Sequence, residues 1–304
     1  MKSVAAACAA VLLTITAGCG STAPSGDPAD DQRLQIVTTI YPYQFLAQGV
    51  GGDLVTVTNL TQPGAEPHDL ELTARQVSSL SEADLVVFQT GLQPAVDDAL
   101  EQTQPAQSVD VMAVLARIAE PLTTTDSAHG TVTDPHIWLD PVAMADLALE
   151  LADRLGQIAP DDAALFASQG AALADRLREL DGDFSSRLAQ CQRRSFVASH
   201  AAFGYLARRY DLVQIPIAGL SPDAEPSPAR MAEIQRLVTD QGITTIFFET
   251  LASPALAQSL AGDLGLRTAV LDPAEGLTDQ SAAQDYIGLM RADLDALVQA
   301  NDCA

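Results

Sequence analysis

Short apolar runs alternate with amphipathic stretches along most of this chain. Leu34–Ile40 and Val55–Leu60 are β-rich runs, and Ala83–Gln89 (ADLVVFQ) is almost continuously apolar. Runs of this kind fit parallel strands buried on both faces. Gln44–Val50, Ala74–Ser81 and Pro94–Gln102 read as helices, and the first series closes on Ser108–Met112. The second half repeats the style. Strands are expected at Ser195–Ser199, Val213–Ile217, Thr244–Phe248 and Thr268–Leu271, with helices at Ala201–Tyr210, Pro228–Gln241 and Pro254–Leu264. Ser227-Pro228 and Ser253-Pro254 each place a capping serine before a proline at the first helical position. Gly242 and Gly265 stand where helix ends favour a left-handed residue. Strands separated by helices of this length predict βαβ units and parallel sheets.

Between the halves lie two amphipathic helices, Val142–Ile158 and Asp161–Cys191, the second with Leu165, Leu173, Leu177, Leu180, Phe184 and Leu188 at helical spacing. The pattern predicts an α/β protein of two lobes, each a parallel sheet flanked by helices, joined by one long rigid helix. The expected division is residues 33–159 for the first lobe, 160–191 for the linking helix and 192–304 for the second lobe. The alternative breaks that helix at Gly182, a residue that costs about 1 kcal/mol in a helix interior.

The beginning of the chain reads as a processing signal. Lys2 precedes an apolar stretch, Val4–Ile15, too short to span a membrane as a helix. Thr16-Ala17-Gly18-Cys19 is similar to a bacterial lipobox, with Thr16 in place of the usual leucine. Residues 1–18 are therefore expected to be a lipoprotein signal peptide, Cys19 the lipidated residue and 19–32 a flexible Gly/Ser/Thr/Pro/Asp tether. The alternative is an ordinary signal peptide cut nearby. Both place the mature chain outside the cytoplasm, in the periplasm or anchored to the outer face of the cytoplasmic membrane. In an oxidising compartment Cys191 and Cys303 invite one disulfide, the alternative being two buried free thiols.

The formal charge of -24 excludes nucleic acid as a partner, because no Lys/Arg cluster is present to meet phosphate. An acidic surface draws cations; the plainer reading is solubility.

Four histidines are present, so their contexts carry information. His68 follows a strand in Pro63-Gly-Ala-Glu-Pro-His68-Asp69, His136 lies in Asp134-Pro-His136-Ile-Trp-Leu-Asp140, and His200 ends a strand. His129 sits in the polar loop Thr123–Thr133 and reads as an ordinary loop residue. Ligands of open α/β sheets bind beyond the carboxyl ends of the strands, so two facing lobes would bring His68, His136 and His200 to one cleft. Imidazole is a preferred zinc ligand. His200 at a helix N-terminus has a reason to stay neutral, since the helix dipole disfavours imidazolium there. A fourth, anionic ligand is needed. Asp272 in Val270-Leu-Asp272-Pro273 is the first choice and Glu249 the second, one ligating while the other orients a histidine. Asp140 before Pro141 reads as a helix cap.

These features together resemble the metal-binding solute-receptor lipoproteins of bacterial ABC importers, specifically the ZnuA-like zinc receptors. The resemblance runs from about Leu34 to the C-terminus. It rests on Ile40-Tyr-Pro, Pro67-His68-Asp69 with Glu71-Leu72, Asp84-Leu-Val-Val, Asp134-Pro-His136-Ile-Trp-Leu-Asp140-Pro141, Ser199-His200-Ala-Ala-Phe-Gly-Tyr205, Gly219-Leu-Ser-Pro-Asp-Ala-Glu-Pro226-Ser and Phe248-Glu249, in that order. It implies a metal between two lobes held by His68, His136 and His200, with Asp272 at the carboxylate position. A histidine rather than a glutamate at position 200 favours zinc over manganese. The His-rich loop of many zinc-type members is reduced here to His129. The implied function is capture of Zn2+ as cargo and delivery to an importer permease with its ATPase, by a monomeric, lipid-anchored receptor without enzymatic activity. The competing readings are a manganese or iron receptor, a surface adhesin or zinc chaperone on the same fold, and a zinc hydrolase. The last lacks an HExxH helix or other catalytic signature.

Overall fold

The computed structural model describes residues 33–118, 120–126, 130–278, 281 and 284–304. The expected signal peptide and tether, Cys19 and His129 lie outside the described residues.

Arg33–Ala304 forms one compact unit. Its first sheet is built from β1 (Leu34–Thr38), β2 (Val55–Asn59), β3 (Leu85–Phe88) and β4 (Ser108–Asp110), with α1 (Tyr41–Gly51), α2 (Ala74–Glu82), α3 (Pro94–Thr103) and α4 (Val111–Ile118) after successive strands. The order is β2-β1-β3-β4 and all pairings are parallel, with Ile36 opposite both Val57 and Leu85. An antiparallel hairpin, β5 (Thr123–Asp126) and β6 (Gly130–Thr133), stands where the sequence suggests only a polar loop. Its threonines are β-formers, and their apolar neighbours are too few to produce a periodic signal.

Next come α5 (Pro141–Ile158) and α6 (Ala163–Arg187), which runs unbroken through Gly182. Gly170 of α6 faces α5 closely: a Cβ there would fall 2.6 Å from Ala152 Cβ, so only glycine permits this approach. The second sheet holds β7 (Ser195–Ala198), β8 (Val213–Pro216), β9 (Thr245–Phe248) and β10 (Arg267–Val270), in the order β10-β9-β7-β8, again parallel. Its helices are α7 (Gly204–Arg209), α8 (Pro228–Asp240) and α9 (Ala255–Leu264). The last helix, α10 (Tyr286–Asn301), is capped by Asp285, whose carboxylate accepts from Gly288 N at 2.8 Å.

In both sheets the first and third strands lie side by side, so the chain reverses its winding there. Their carboxyl ends open a crevice in each. One apolar core runs from α1 and the inner face of the first sheet through α5 and α6 to Phe196, Phe247 and α10. Two smaller cores cover the outer faces of the sheets. The central strands β1, β3, β7 and β9 are therefore covered on both faces, which accounts for their apolar runs, while the edge strand β10 is largely exposed. The α6 helix is a packed member of the shared core rather than an exposed strut, with Phe166, Leu177, Leu180 and Phe184 fully buried.

Cys191 and Cys303 form a disulfide across 112 residues, joining the end of the chain to the segment after α6. Closing so long a loop removes freedom from the unfolded chain, worth up to about 4–5 kcal/mol in the entropic account. Cys191→Ser with Cys303→Ser is expected to lower the unfolding free energy by about 2–5 kcal/mol in denaturant titration, with an unchanged far-UV spectrum. An unchanged midpoint would leave the bond without a stabilising role.

Candidate metal centre

Four segments bring donors to one point. The first is the loop between β2 and α2. Buried Gln93 at the start of α3 reaches Thr39 O, Thr61 Oγ1 and Pro67 O at 3.3, 3.0 and 3.1 Å, pinning the residue before His68. The His68 amide donates to Glu66 Oε1 at 3.2 Å. The second segment follows the hairpin. Gln89, itself receiving the Tyr43 hydroxyl, donates to Pro135 O, and Asp134 Oδ1 receives both the amide and the Nδ1 of His136 at 2.9 Å. The edge of Trp138 meets the His136 ring at a centroid distance of 5.2 Å. Asp140 caps α5 by accepting from Val142 N at 3.0 Å, as expected, and also pairs with Arg209 of α7.

The third segment is the end of β7. His200 Nδ1 lies 3.0 Å from Glu249 Oε1 at the end of β9, and Gln214 Nε2 donates to His200 O at 2.7 Å. The fourth is the loop after β10. Trp138 Nε1 donates to Pro273 O at 2.7 Å, and Tyr41 N donates to Glu275 O at 3.2 Å. Between these anchors Ala274 adopts a left-handed conformation, φ 55°.

The result is a group of His68, His136, His200 and Glu275 whose donor atoms all lie within 4.8 Å of one another. Glu275 Oε1 is 3.6 Å from His68 Nε2, 3.4 Å from His136 Nε2 and 3.7 Å from His200 Nε2, and the last two nitrogens are 3.3 Å apart. Glu275 and His136 are 0% exposed and His200 is 1% exposed. Only His68 reaches solvent, at 10% of its side chain. Both Glu275 oxygens and His68 Nε2 are buried with no hydrogen-bond partner among the described residues.

The three expected histidines thus meet, while the acid among them is Glu275 and not Asp272. Asp272 turns into its own loop: its carboxylate accepts from Ala274 N at 2.8 Å and from the Thr250 hydroxyl, and its amide donates to Asp293 Oδ1 at 2.8 Å. It shapes the turn that presents Glu275. Glu249 takes the orienting place beside His200. Glu275 carries no distinguishing local signal, standing as one of 40 acidic residues two positions after a proline.

Burial penalises charge here, yet the opposite charges prevail. Burial alone would lower His200, but Glu249 and then Glu275 push it up to about 10. His136 is raised against the same burial by Asp134 and Glu275. Glu275 would be raised by burial but is held well below the usual carboxylate range by the three imidazoles. Glu66 rises to about 8 through burial and the nearby charge of Glu275. The helix dipole invoked for His200 does not bear on its ring. The helix begins only at Gly204, and two carboxylates face the ring directly.

The family model for "zinc-uptake complex component A periplasmic" (ZnuA) matches residues 36–300. The high-affinity zinc uptake system protein ZnuA of Bacillus subtilis is 33% identical over 306 residues, covering 97% of this chain and 95% of that protein. The zinc-binding lipoprotein AdcA of Streptococcus pneumoniae is 39% identical over 284 residues. The match takes in 90% of this chain but 56% of AdcA, so the chain spans about half the length of that relative. The crystal structure of the Zn(II)-bound ZnuA-like domain of Streptococcus pneumoniae AdcA superposes with a TM-score of 0.74 at 37% identity, covering 89% of this chain and 99% of that one.

Proposed function

The chain belongs to the zinc-uptake component A (ZnuA) family, and on that premise we propose that it is an extracytoplasmic receptor that captures Zn2+ through His68, His136, His200 and Glu275 and delivers it to a membrane permease. The observation that carries this reading is the buried Glu275 carboxylate facing three imidazole Nε2 atoms at 3.4–3.7 Å. These separations are too long for good hydrogen bonds. They suit a cation in the middle: bonds of about 2.0–2.1 Å in a tetrahedral zinc site hold neighbouring donors about 3.3–3.4 Å apart.

Neutral imidazoles and one carboxylate match zinc better than a hard, six-coordinate cation, and four protein donors leave no position for a catalytic water. Asp134 and Glu249 bond to the far nitrogens of His136 and His200, fixing the rings so that Nε2 points inward. The metal is cargo rather than a cofactor. His68 and His136 come from the first half of the chain and His200 and Glu275 from the second, so the ion would tie the two together. Release to the permease then requires that these ligands part. A partner ATPase, a lipid on Cys19 and a monomeric state complete the proposal. No helix among the described residues is long and apolar enough to cross a membrane.

Titration of purified protein with zinc against a chelator is expected to give one tight site per chain, undisturbed by excess manganese. His200→Ala is expected to weaken zinc at least about tenfold with the fold intact by circular dichroism. Absence of zinc binding, or displacement of zinc by manganese, would overturn the assignment.

A further inference from the structure

The His136 ring is aimed by Asp134, and what aims Asp134 comes from the other half of the chain. Tyr205 of α7 is fully buried. Its hydroxyl accepts from Leu122 N at 3.1 Å and donates to Asp134 O at 3.1 Å. Leu122 and Asp134 are the two roots of the β5–β6 hairpin, joined to each other by Asp134 N donating to Leu122 O at 2.8 Å. One phenol oxygen therefore holds both roots.

A second observation points the same way. A methyl group on Gly204, the residue before Tyr205, would lie 2.5 Å from Asp134 Oδ2. Helix α7 is thus seated on the very carboxylate that holds His136, and only a hydrogen fits between them. The same helix extends its grip on this segment, with Arg208 donating to Glu120 O at 3.0 Å and Arg209 pairing with Asp140.

We infer that Tyr205, together with Gly204, is a positioning residue for metal capture, acting through Asp134 to hold His136 Nε2 at the point where His200 and Glu275 converge. The inference rests on the zinc-receptor reading. Tyr205 touches no ligand itself. It fixes the backbone of Asp134, and Asp134 Oδ1 fixes both the amide and the ring of His136. His200 lies four residues before Gly204 on the same connection, so α7 sets the spacing between two ligands from opposite halves of the chain. A merely structural tyrosine would satisfy two buried backbone groups and leave the metal indifferent to its hydroxyl.

Tyr205→Phe keeps the ring and removes only the hydroxyl. Zinc affinity by chelator competition is expected to fall about three- to tenfold, and the absorption spectrum of the cobalt(II)-loaded protein to shift as the ligand field distorts. Asp134→Ala is expected to weaken zinc about 10- to 100-fold. With Asp134→Ala in place, Tyr205→Phe should add less than about a twofold further loss, since the carboxylate it would place is gone. Gly204→Ala, which leaves the hydroxyl intact, is the independent arm and should also weaken zinc and shift the cobalt spectrum. Wild-type affinity and spectrum in Tyr205→Phe, or losses from Tyr205→Phe and Asp134→Ala that simply multiply, would overturn the inference while leaving the zinc site standing. Failure of the wild-type protein to bind zinc in the same titration would instead remove the site reading beneath it.

Discussion

Glu275→Gln is expected to weaken zinc binding by about a hundredfold or more, while Asp272→Asn costs less and shows its effect chiefly in stability. A closed zinc site of about 12 kcal/mol shared among four donors assigns each about 3 kcal/mol, or about a hundredfold in affinity. Glu275 also supplies the only negative charge among the four donors. Glutamine keeps the shape and removes that charge, so the loss falls on metal and not on packing. Asp272 acts at one remove, by holding the turn through Ala274 N and Thr250. Chelator competition with the two variants side by side separates these roles. Equal losses, or a larger loss for Asp272→Asn, would return Asp272 to the ligand set.

The second large effect is on pH. In the metal-free protein His200 is raised from 6.5 to about 10, chiefly by Glu249 acting against burial. A raised folded value contributes stability that is fully present below the unfolded value and is lost as the pH rises through the folded one. For His200 that loss runs from about 6.5 to about 10. Glu275 is depressed, so its contribution is present above the ordinary value of 4.5 and is lost as the pH falls through its own lower value. Glu66, raised to about 8, and the buried Asp272 and Asp293 hold protons longer in the folded state, and they too withdraw stability as the pH rises. The metal-free protein is therefore expected to be most stable near about pH 4.5, where Glu275 is ionised and the raised groups still hold their protons, and to weaken progressively as the pH rises.

Zinc reverses that trend, because it must displace the imidazole proton that His200 otherwise keeps. Affinity is expected to rise about tenfold per pH unit for one proton released, or about a hundredfold between pH 6 and pH 8. The increase in Tm on adding zinc should grow over the same range. Calorimetry in buffers of different ionisation enthalpy counts the protons directly. A pH-independent affinity with no proton release would mean that the site is already deprotonated and that Glu249 and Glu275 do not charge it.

How far the sequence discloses this centre follows from what each residue needs. The histidines are legible because they are rare and stand at strand ends or in loops, where α/β sheets hold their ligands. The central strands are legible because both of their faces are buried. Helix α6 was equally plain from its leucine spacing, and its persistence through Gly182 follows from the packing of Leu177, Leu180 and Phe184 on either side. The acid was a different matter. Asp272 sits nearest the end of β10, but that strand stops at Val270 and the chain makes a turn before it reaches the centre. The turn depends on a left-handed alanine, on a bond from Trp138 and on one to Asp293, which lie 135 and 21 residues away from their partners. No local pattern encodes such contacts, so proximity to a strand end points to Asp272, whereas the carboxylate that the fold brings to the three histidines is that of Glu275. Helix α10, which supplies Asp293, carries Tyr286, Met290, Leu294 and Leu297 at helical spacing and could have been read from them. The hairpin is not legible in this way, because its strands carry too few apolar residues to alternate, and its roots are held by Tyr205 from beyond the long helices.

Zinc-edge X-ray absorption on the protein loaded with one equivalent of zinc addresses the coordination sphere itself. Four light-atom neighbours at about 2.0 Å are expected, with outer-shell scattering from three imidazole rings, reduced to two rings in His200→Ala. Five or six neighbours, a sulfur neighbour, or a spectrum unchanged by His200→Ala would contradict this coordination.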